Sequence, residues 1–551
     1  MATSSAEGGG EPGGWPPAAD AGPLGPASRA ASHPGPPNGP NAEARPPGGP
    51  ASVTAQAAAA VQFLAEVQAD PLRLLQIPEA LRVQLLALAG QLTRPDVAQK
   101  RAFAREARKQ RRAERRARDQ EQLDGTGIRN LRRAAVFPTP LPGPGPLPVL
   151  PPVPPGVDLD AALAVPPPKV ADARTCYVCK VDYVELHHFY DALCPACAEF
   201  NWQKRHQTAD LRGRVALVTG ARVKIGYQAA VMLLRAGCRV LVTTRFPHDA
   251  ALRYAREPDF AAWRERLQIF GLDLRHTPTV EAFARQLCGT EARLDYLIHN
   301  ACQTVRRPAG FYSHLMATER TPLAALPEAA QSLLQAQAAL RLPVVGGQGL
   351  AHDAPGLSQL ELLGEDRLRG GSLFPEGQLD QDLQQVDLRL VNSWRLPLAE
   401  VPTVELLEVQ LVNAVAPFVL SARLKPLFDR VPTADKHIVN VSAMEGQFYR
   451  SFKTDKHPHT NMAKAALNML TRTSARDYVR SGIHMNSVDT GWVTDEDPAA
   501  IAARKTAEHG FHPPLDIVDG AARIVDPIFV GANTGVHGFG QFLKDYRPVH
   551  W

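Results

Sequence analysis

The chain has 551 residues, 44% of them hydrophobic, and a formal net charge of only +5. It is too long for one ordinary domain and too apolar to lack a core. Its charge balance does not by itself mark a nucleic-acid binder.

Residues 1–50 are mostly Gly, Pro, Ala and Ser. Such a segment cannot bury enough surface to offset its chain entropy, so it is expected to be disordered. Residues 51–135 read as helical, with apolar residues at helical spacing and breaks at Pro71 and Pro78. Within them, Lys100 to Gln120 is a strongly basic run of good helix formers. A nuclear-localisation or nucleic-acid patch competes here with a solvated charged helix. No aromatics interleave with the charges, which favours the solvated helix and argues against a nucleic-acid partner. Residues 136–172 form a stiff, proline-rich spacer.

Residues 173–206 carry two CxxC knuckles, Cys176/Cys179 and Cys194/Cys197, fourteen residues apart. Two such knuckles complete a tetrahedral site of four thiolates, which suits zinc. A redox role would need one pair beside a βαβ unit, and two matched pairs argue against it. His187 and His188, between the knuckles, are expected at the surface. A closed four-thiolate site leaves no position for substrate, so its role is structural or for docking a protein partner, and its fold should depend on the metal.

From residue 207 to 551 apolar strands alternate with helical segments. GRVALVTG is a continuous apolar run, followed by the turn ARVKIG, a helical pattern and a second apolar run, CRVLVTTRF. This strand, turn, helix and strand make a βαβ unit that presents a helix N-terminus to a pyrophosphate. The later segments GLDLRH, DYLIHNAC, NAVAPFVL, HIVNVSAMEG, NMAKAALNML and HMNSVDTGWV continue the alternation. The fold class expected is α/β, a doubly wound parallel sheet of Rossmann type.

The order of these motifs resembles the short-chain dehydrogenase/reductase family over about residues 211–551. The resemblance implies a cofactor turn at Thr219, Gly220 and Gly226, with Arg222 and Ile225 inside it and Lys224 where the family has a glycine. It implies Asp273 as the adenine-side aspartate, Asn300-Ala301 as the end of the fourth family strand, and Asn413 as the active-site asparagine. Thr490-Gly491 matches the family's Pro-Gly, with Thr494 placed to reach the nicotinamide amide. The cofactor preference follows from charge. An acidic residue after the second strand would bind the 2′-hydroxyl of NAD. Thr244 followed by Arg245 suits a 2′-phosphate instead, so NADP is expected rather than NAD, with Arg222 adding positive charge.

The reaction centre departs from the family. Its lysine is Lys464, but four positions earlier stands Thr460 in place of tyrosine, and Ala443, after Ser442, in place of serine. A threonine hydroxyl is a far weaker acid than a phenol. Three readings stay open: an oxidoreductase acting on a carbonyl or alcohol substrate with another acid, such as Tyr449, His459 or Ser442; a dinucleotide-binding sensor or scaffold without chemistry; or a shifted register in the irregular stretch 447–459.

About ninety extra residues, roughly 305–395, separate Asn300 from Asn413, far beyond the usual loop length. They would emerge where ligands bind, as a lid, a docking arm or an unstructured insertion. Seven cysteines and no recognisable secretory leader suggest a reducing compartment, cytoplasmic with a nuclear option. No membrane span is expected. The family's habit of pairing through long helices implies a homodimer, with helix 456–480 and its Leu467 and Leu470 as the candidate face.

Overall fold

The computed structural model describes residues 52–94, 96–141, 167–338, 353–368, 372–449 and 453–551. The expectations for residues 1–50 and for most of the 136–172 spacer fall outside the described residues. The chain divides into two units, Met1–Phe103 and Ala104–Trp551.

In the first unit, helices Val53–Ala69 and Glu79–Thr93 flank a 3-10 turn, Pro71–Gln76. The breaks fall where Pro71 and Pro78 lack the N–H that a continuing helix needs. Ser52 caps the first helix by accepting from the Ala55 N–H at 3.2 Å. None of these three elements buries a residue.

The second unit holds two sheets. The small one is an antiparallel hairpin, β1 (Lys169–Thr175) and β2 (Asp182–Glu185). The large one contains β3 (Val215–Thr219), β4 (Arg239–Thr244), β5 (Leu267–Gly271), β6 (Tyr296–His299), β7 (Lys436–Ser442), β8 (Ile483–Asp489), β9 (Phe542–Lys544) and β10 (Arg547–Val549). Its order is β10-β9-β8-β7-β6-β3-β4-β5, parallel except for β10. Strands β3, β7 and β8 are buried along their whole length, as helices on both faces require. Helices Lys224–Arg235 and Ile517–Thr534 close one face over Val218, Val240 and Ile298. On the other face, helices Thr277–Thr290 and Ala416–Asp429 pack with Leu217, Leu297 and Ile438. The order reverses between β3 and β6, and a cleft opens there at the carboxyl ends of the strands.

Two long helices bear on the expectations. Residues Thr403–Asp429 do form a helical stretch long and apolar enough to cross a membrane, with hydropathy 1.5. Its Leu420, Leu424 and Phe428 are buried against the sheet, so it serves as a core helix. The helix expected at 456–480 runs Pro458–Tyr478, and its Leu467 is only 2% exposed. Leu467 is buried, though not among the residues clustered with Leu420, Leu424 and Phe428, and so is no part of an outer face. Met462 and Met469, each 55% exposed, are the large apolar side chains that this helix presents.

The insertion is built into the domain wherever it is described. Helix Glu328–Ala338 adds Leu333 and Leu334 to the core, and its Gln337 accepts from the Gly271 N–H at the end of β5, at 2.6 Å. Arg306, 4% exposed, meets Asp366 at 2.7 Å, Glu365 at 3.1 Å and Glu408 at 3.1 Å. Arg389 reaches the same Glu365 at 3.2 Å. Removing one member of such a network strands a buried charge, so the arrangement fixes the insertion's path.

Candidate functional site

The cleft occupies about 690 Å³. Its floor is the turn between β3 and helix Lys224–Arg235, whose N-terminus has no side-chain cap. The free N–H groups of that first turn are an anion site by geometry. Asn300 donates to the carbonyls of Thr219, at 3.1 Å, and Gly220, at 3.0 Å, while the Ala301 N–H donates to the Thr219 hydroxyl at 3.1 Å. These three bonds lock the ends of β3 and β6 together under the turn. Lys224 holds a left-handed backbone, φ +56°, at the family's glycine position. Ile225 packs into the core beneath.

On the adenosine side, Arg245 donates to the Tyr312 hydroxyl at 2.6 Å and lies over that ring, 4.7 Å from its centroid. Tyr312 comes from the insertion and was not legible in the sequence. Thr244 is buried, and its hydroxyl accepts from the Phe246 N–H at 3.1 Å. Arg222 is engaged elsewhere: it pairs with Asp249 at 2.6 Å, a carboxylate that Arg253 shares at 2.7 Å. Asp273 is held by Arg275 at 2.6 Å. Burial would raise its carboxyl pKa, but the Arg275 fork outweighs burial and keeps it below the ordinary range.

At the reaction end, Lys464 is buried and donates to the Val441 carbonyl at 2.8 Å. Asn413 sits in a π-turn, Leu411–Val415, and makes reciprocal bonds with the Gln303 backbone at 2.8 and 2.9 Å. Thr494 donates to Glu496 at 2.8 Å, and Thr304 reaches the same carboxylate at 3.2 Å. Ser442 donates to Asn468 at 2.7 Å and is spent on that helix, whereas Ala443 faces the cleft with no hydroxyl to offer. Thr460 is 1% exposed, lies outside the cleft lining, and its hydroxyl has no partner. The insertion meets the chain three residues before it, at His457. The His457 N–H donates to the Leu396 carbonyl at 3.0 Å, and Trp394 stacks on the His457 ring at 3.9 Å. His459 is buried 3.7 Å from Glu405. Burial opposes ionisation of Glu405, but the neighbouring His459 and Ser393 side chains outweigh it and hold the pKa below the usual value. Tyr449 is half exposed beside His550 and outside the cleft lining.

The four cysteines converge. Their sulfurs all lie within 4.8 Å of one another, and those of Cys179 and Cys194 are 3.6 Å apart. Cys176 follows β1, and Cys194 and Cys197 flank the start of helix Pro195–Arg205. The module packs on its own dehydrogenase-like domain. Tyr190 donates to Asp519 at 2.5 Å, and Arg205 pairs with Asp516 at 2.6 Å.

Residues 214–320 match the sequence profile described as short chain dehydrogenase, and residues 390–513 the profile described as Enoyl-(Acyl carrier protein) reductase. With the strand order and the cleft, these matches define the class: the chain belongs to the short-chain dehydrogenase/reductase family of oxidoreductases. Among its relatives is uncharacterized protein R665 of Acanthamoeba polyphaga mimivirus, 31% identical over 401 residues, 69% of this chain and 76% of that protein. Dehydrogenase/reductase SDR family member 13 of Bos taurus is 39% identical over 106 residues, 18% of this chain and only 27% of that protein. Among solved structures, the Pseudomonas aeruginosa RhlG/NADP complex is 20% identical, with a TM-score of 0.38 over 60% of this chain and 94% of that one. NADPH-bound carbonyl reductase from chicken fatty liver is 17% identical, with a TM-score of 0.37 over 62% of this chain and all of that one.

Proposed function

We propose that the cleft binds NADP(H), and that nucleotide binding, rather than carbonyl turnover by serine and tyrosine, is the function this oxidoreductase fold retains. The observation that carries this reading is the contrast between the cleft's two ends. The glycine turn and the uncapped helix N-terminus would cradle a nucleotide, while Ala443 has no hydroxyl and Thr460 is buried outside the cleft lining.

The glycine turn fits the cofactor. A Cβ on Gly226 would lie 2.6 Å from the Gly220 carbonyl, so only glycine keeps helix and turn this close. The helix N-terminus and Lys224 would hold the pyrophosphate. Arg245, without a carboxylate partner among the described residues, would take the 2′-phosphate. Lys464 spends one N–H on Val441 and keeps two for ribose hydroxyls. A bound nicotinamide would supply a hydride. Among the described residues, neither Ala443 nor the buried Thr460 would aim a hydroxyl acid at a substrate carbonyl.

A second reading, reduction of a small carbonyl compound with a different acid, is favoured by the buried His459–Glu405 pair beside Thr460. It requires residues 392–397 to move off the start of helix Pro458–Tyr478. Calorimetric titration of the full-length protein with NADPH, NADP and NADH tests the binding reading. Absence of binding to all three overturns it. Oxidation of NADPH with a panel of aldehydes and ketones, abolished by His459→Gln, would establish the second reading instead.

We infer that the four cysteines hold zinc. Four sulfurs at about 2.3 Å from one zinc stand about 3.8 Å apart, the spacing that this cluster approaches. The site would be closed and structural.

A further inference from the structure

Of the two residues between the first two cysteines, Tyr177 and Val178, the first bonds to the turn that forms one wall of the cleft. Tyr177, one position after Cys176, accepts a hydrogen bond from the Trp492 backbone N–H at 3.0 Å. Its hydroxyl also lies 3.4 Å from where a Cβ on Gly491 would stand. Residues Thr490 to Thr494 form the turn after β8. Thr490 and Thr494 line the cleft from one side of this turn, while Gly491, Trp492 and Val493 meet the cysteine module on the other. Other bonds also reach the turn: Thr494 donates to Glu496 at 2.8 Å, and the Thr490 hydroxyl donates to the Gly491 carbonyl at 3.4 Å. The Gly491 N–H donates to Asp489 at 2.9 Å, and the Leu515 N–H donates to the Trp492 carbonyl at 3.3 Å.

Tyr177 is itself fixed from two directions. Its N–H donates to the Ala192 carbonyl at 2.9 Å, and Lys180 lies over its ring at 5.1 Å. Both holds depend on the knuckle. The Lys180 N–H returns to the Cys176 carbonyl at 3.1 Å, with Lys180 in a left-handed conformation, φ +64°.

We propose that Tyr177 is a positioning residue that couples metal loading of the cysteine module to the nicotinamide end of the cleft. The proposal rests on the zinc and NADP(H) readings above. A metal on Cys176 and Cys179 fixes the knuckle, the knuckle fixes the phenol, and the phenol fixes the Trp492 backbone and with it Thr490 and Thr494. With the knuckle loose, that turn must be ordered at the moment of binding, and the ordering is taken from the affinity. The effect is confined to the nicotinamide half. The adenosine half is built chiefly by Arg245 and Tyr312, which are outside the module's apolar cluster, although Ile225 at the β3 turn packs against that cluster.

The test uses full-length protein of measured zinc content and two probes: NADPH, and 2′,5′-ADP, which carries only the adenosine half. Tyr177→Phe is expected to keep its zinc and its 2′,5′-ADP affinity while losing roughly fivefold in NADPH affinity, the effect of one lost hydrogen bond to the turn. Equal NADPH affinity in zinc-loaded Tyr177→Phe and wild type overturns the proposal. If the variant misfolds, wild-type protein stripped of metal and then reloaded decides the matter. The ratio of NADPH to 2′,5′-ADP affinity should fall on stripping and recover on reloading, and a constant ratio overturns the coupling. Reciprocity requires saturating NADPH to tighten zinc binding by the same factor. Zinc-loaded wild type that binds neither probe refutes the nucleotide reading, and wild type isolated without zinc refutes the metal reading, so each failure is separately visible.

Discussion

The side-chain amide nitrogen of Asn300 lies 2.1 Å from the point where a Cβ on Gly226 would stand. The same amide ties the end of β6 to the end of β3, so helix and strand can approach only because position 226 has no side chain. Gly226→Ala must push the helix off the turn or break the amide's bonds. The expected outcome is a loss of about 1–3 kcal/mol in stability, as for other overpacked sites, together with loss of measurable NADPH binding. Urea unfolding and calorimetry read the two effects. A variant with wild-type stability and affinity would mean that the cleft floor has been misread.

Lys224 raises the opposite question. Its left-handed backbone costs a non-glycine residue roughly 1 kcal/mol, so Lys224→Gly should raise stability by about that amount. If the ammonium group is kept for the pyrophosphate, the same variant should bind NADPH several-fold more weakly despite being more stable. Higher stability with unchanged affinity would reduce Lys224 to a bystander.

Arg245 carries the cofactor preference. Losing a hydrogen-bonded charge typically costs about 2 kcal/mol, so Arg245→Ala should weaken NADPH binding roughly thirtyfold and leave NADH binding nearly untouched. Tyr312→Phe removes the hydroxyl that accepts from the guanidinium, and should give a smaller loss in the same direction. Equal losses for NADPH and NADH would place Arg245 elsewhere on the nucleotide.

Much of this was legible in the sequence, and what was not has a common cause. The apolar runs in β3, β4 and β6 announce themselves because a strand covered on both faces is largely apolar, whereas β7 and β8 bury His, Asn and Ser side chains as well. The four cysteines are legible because two knuckles have a fixed spacing. The pairing of Arg222 with Asp249, the Arg306 network and the contact of Tyr312 with Arg245 are not, because each joins residues far apart in the chain through side chains that look solvated when read singly. The stacking of Trp394 on His457, three residues before Thr460, is equally invisible, since nothing in the insertion's composition says where it lies.

Two buried imidazoles predict how stability depends on pH. Burial lowers the His457 pKa to about 4 and that of His299 to about 3. An unfolded imidazole titrates near 6.5, so as pH falls the unfolded state takes up protons first. Their stabilising contribution is complete above about pH 6.5 and is lost progressively toward pH 4 for His457 and pH 3 for His299. His457→Asn keeps a residue tolerant of the left-handed backbone, φ +41°, and should flatten the slope between pH 6.5 and 4. An unchanged slope in urea midpoints over that range would show that the ring is already solvated.

Restoring the family's missing groups is the sharpest test of the binding reading. Ala443 faces the cleft, so Ala443→Ser should fold normally and leave nucleotide affinity unchanged. Thr460 is fully enclosed, so Thr460→Tyr adds a ring where there is no room and should cost about 1–3 kcal/mol. If the insertion holds its place, the double variant still presents no phenol to the cleft, and NADPH oxidation with aldehydes and ketones stays at background. Turnover in the double variant, absent from wild type, would mean that residues 392–397 open in solution. The loss of activity would then lie in two side chains rather than in the architecture that covers them.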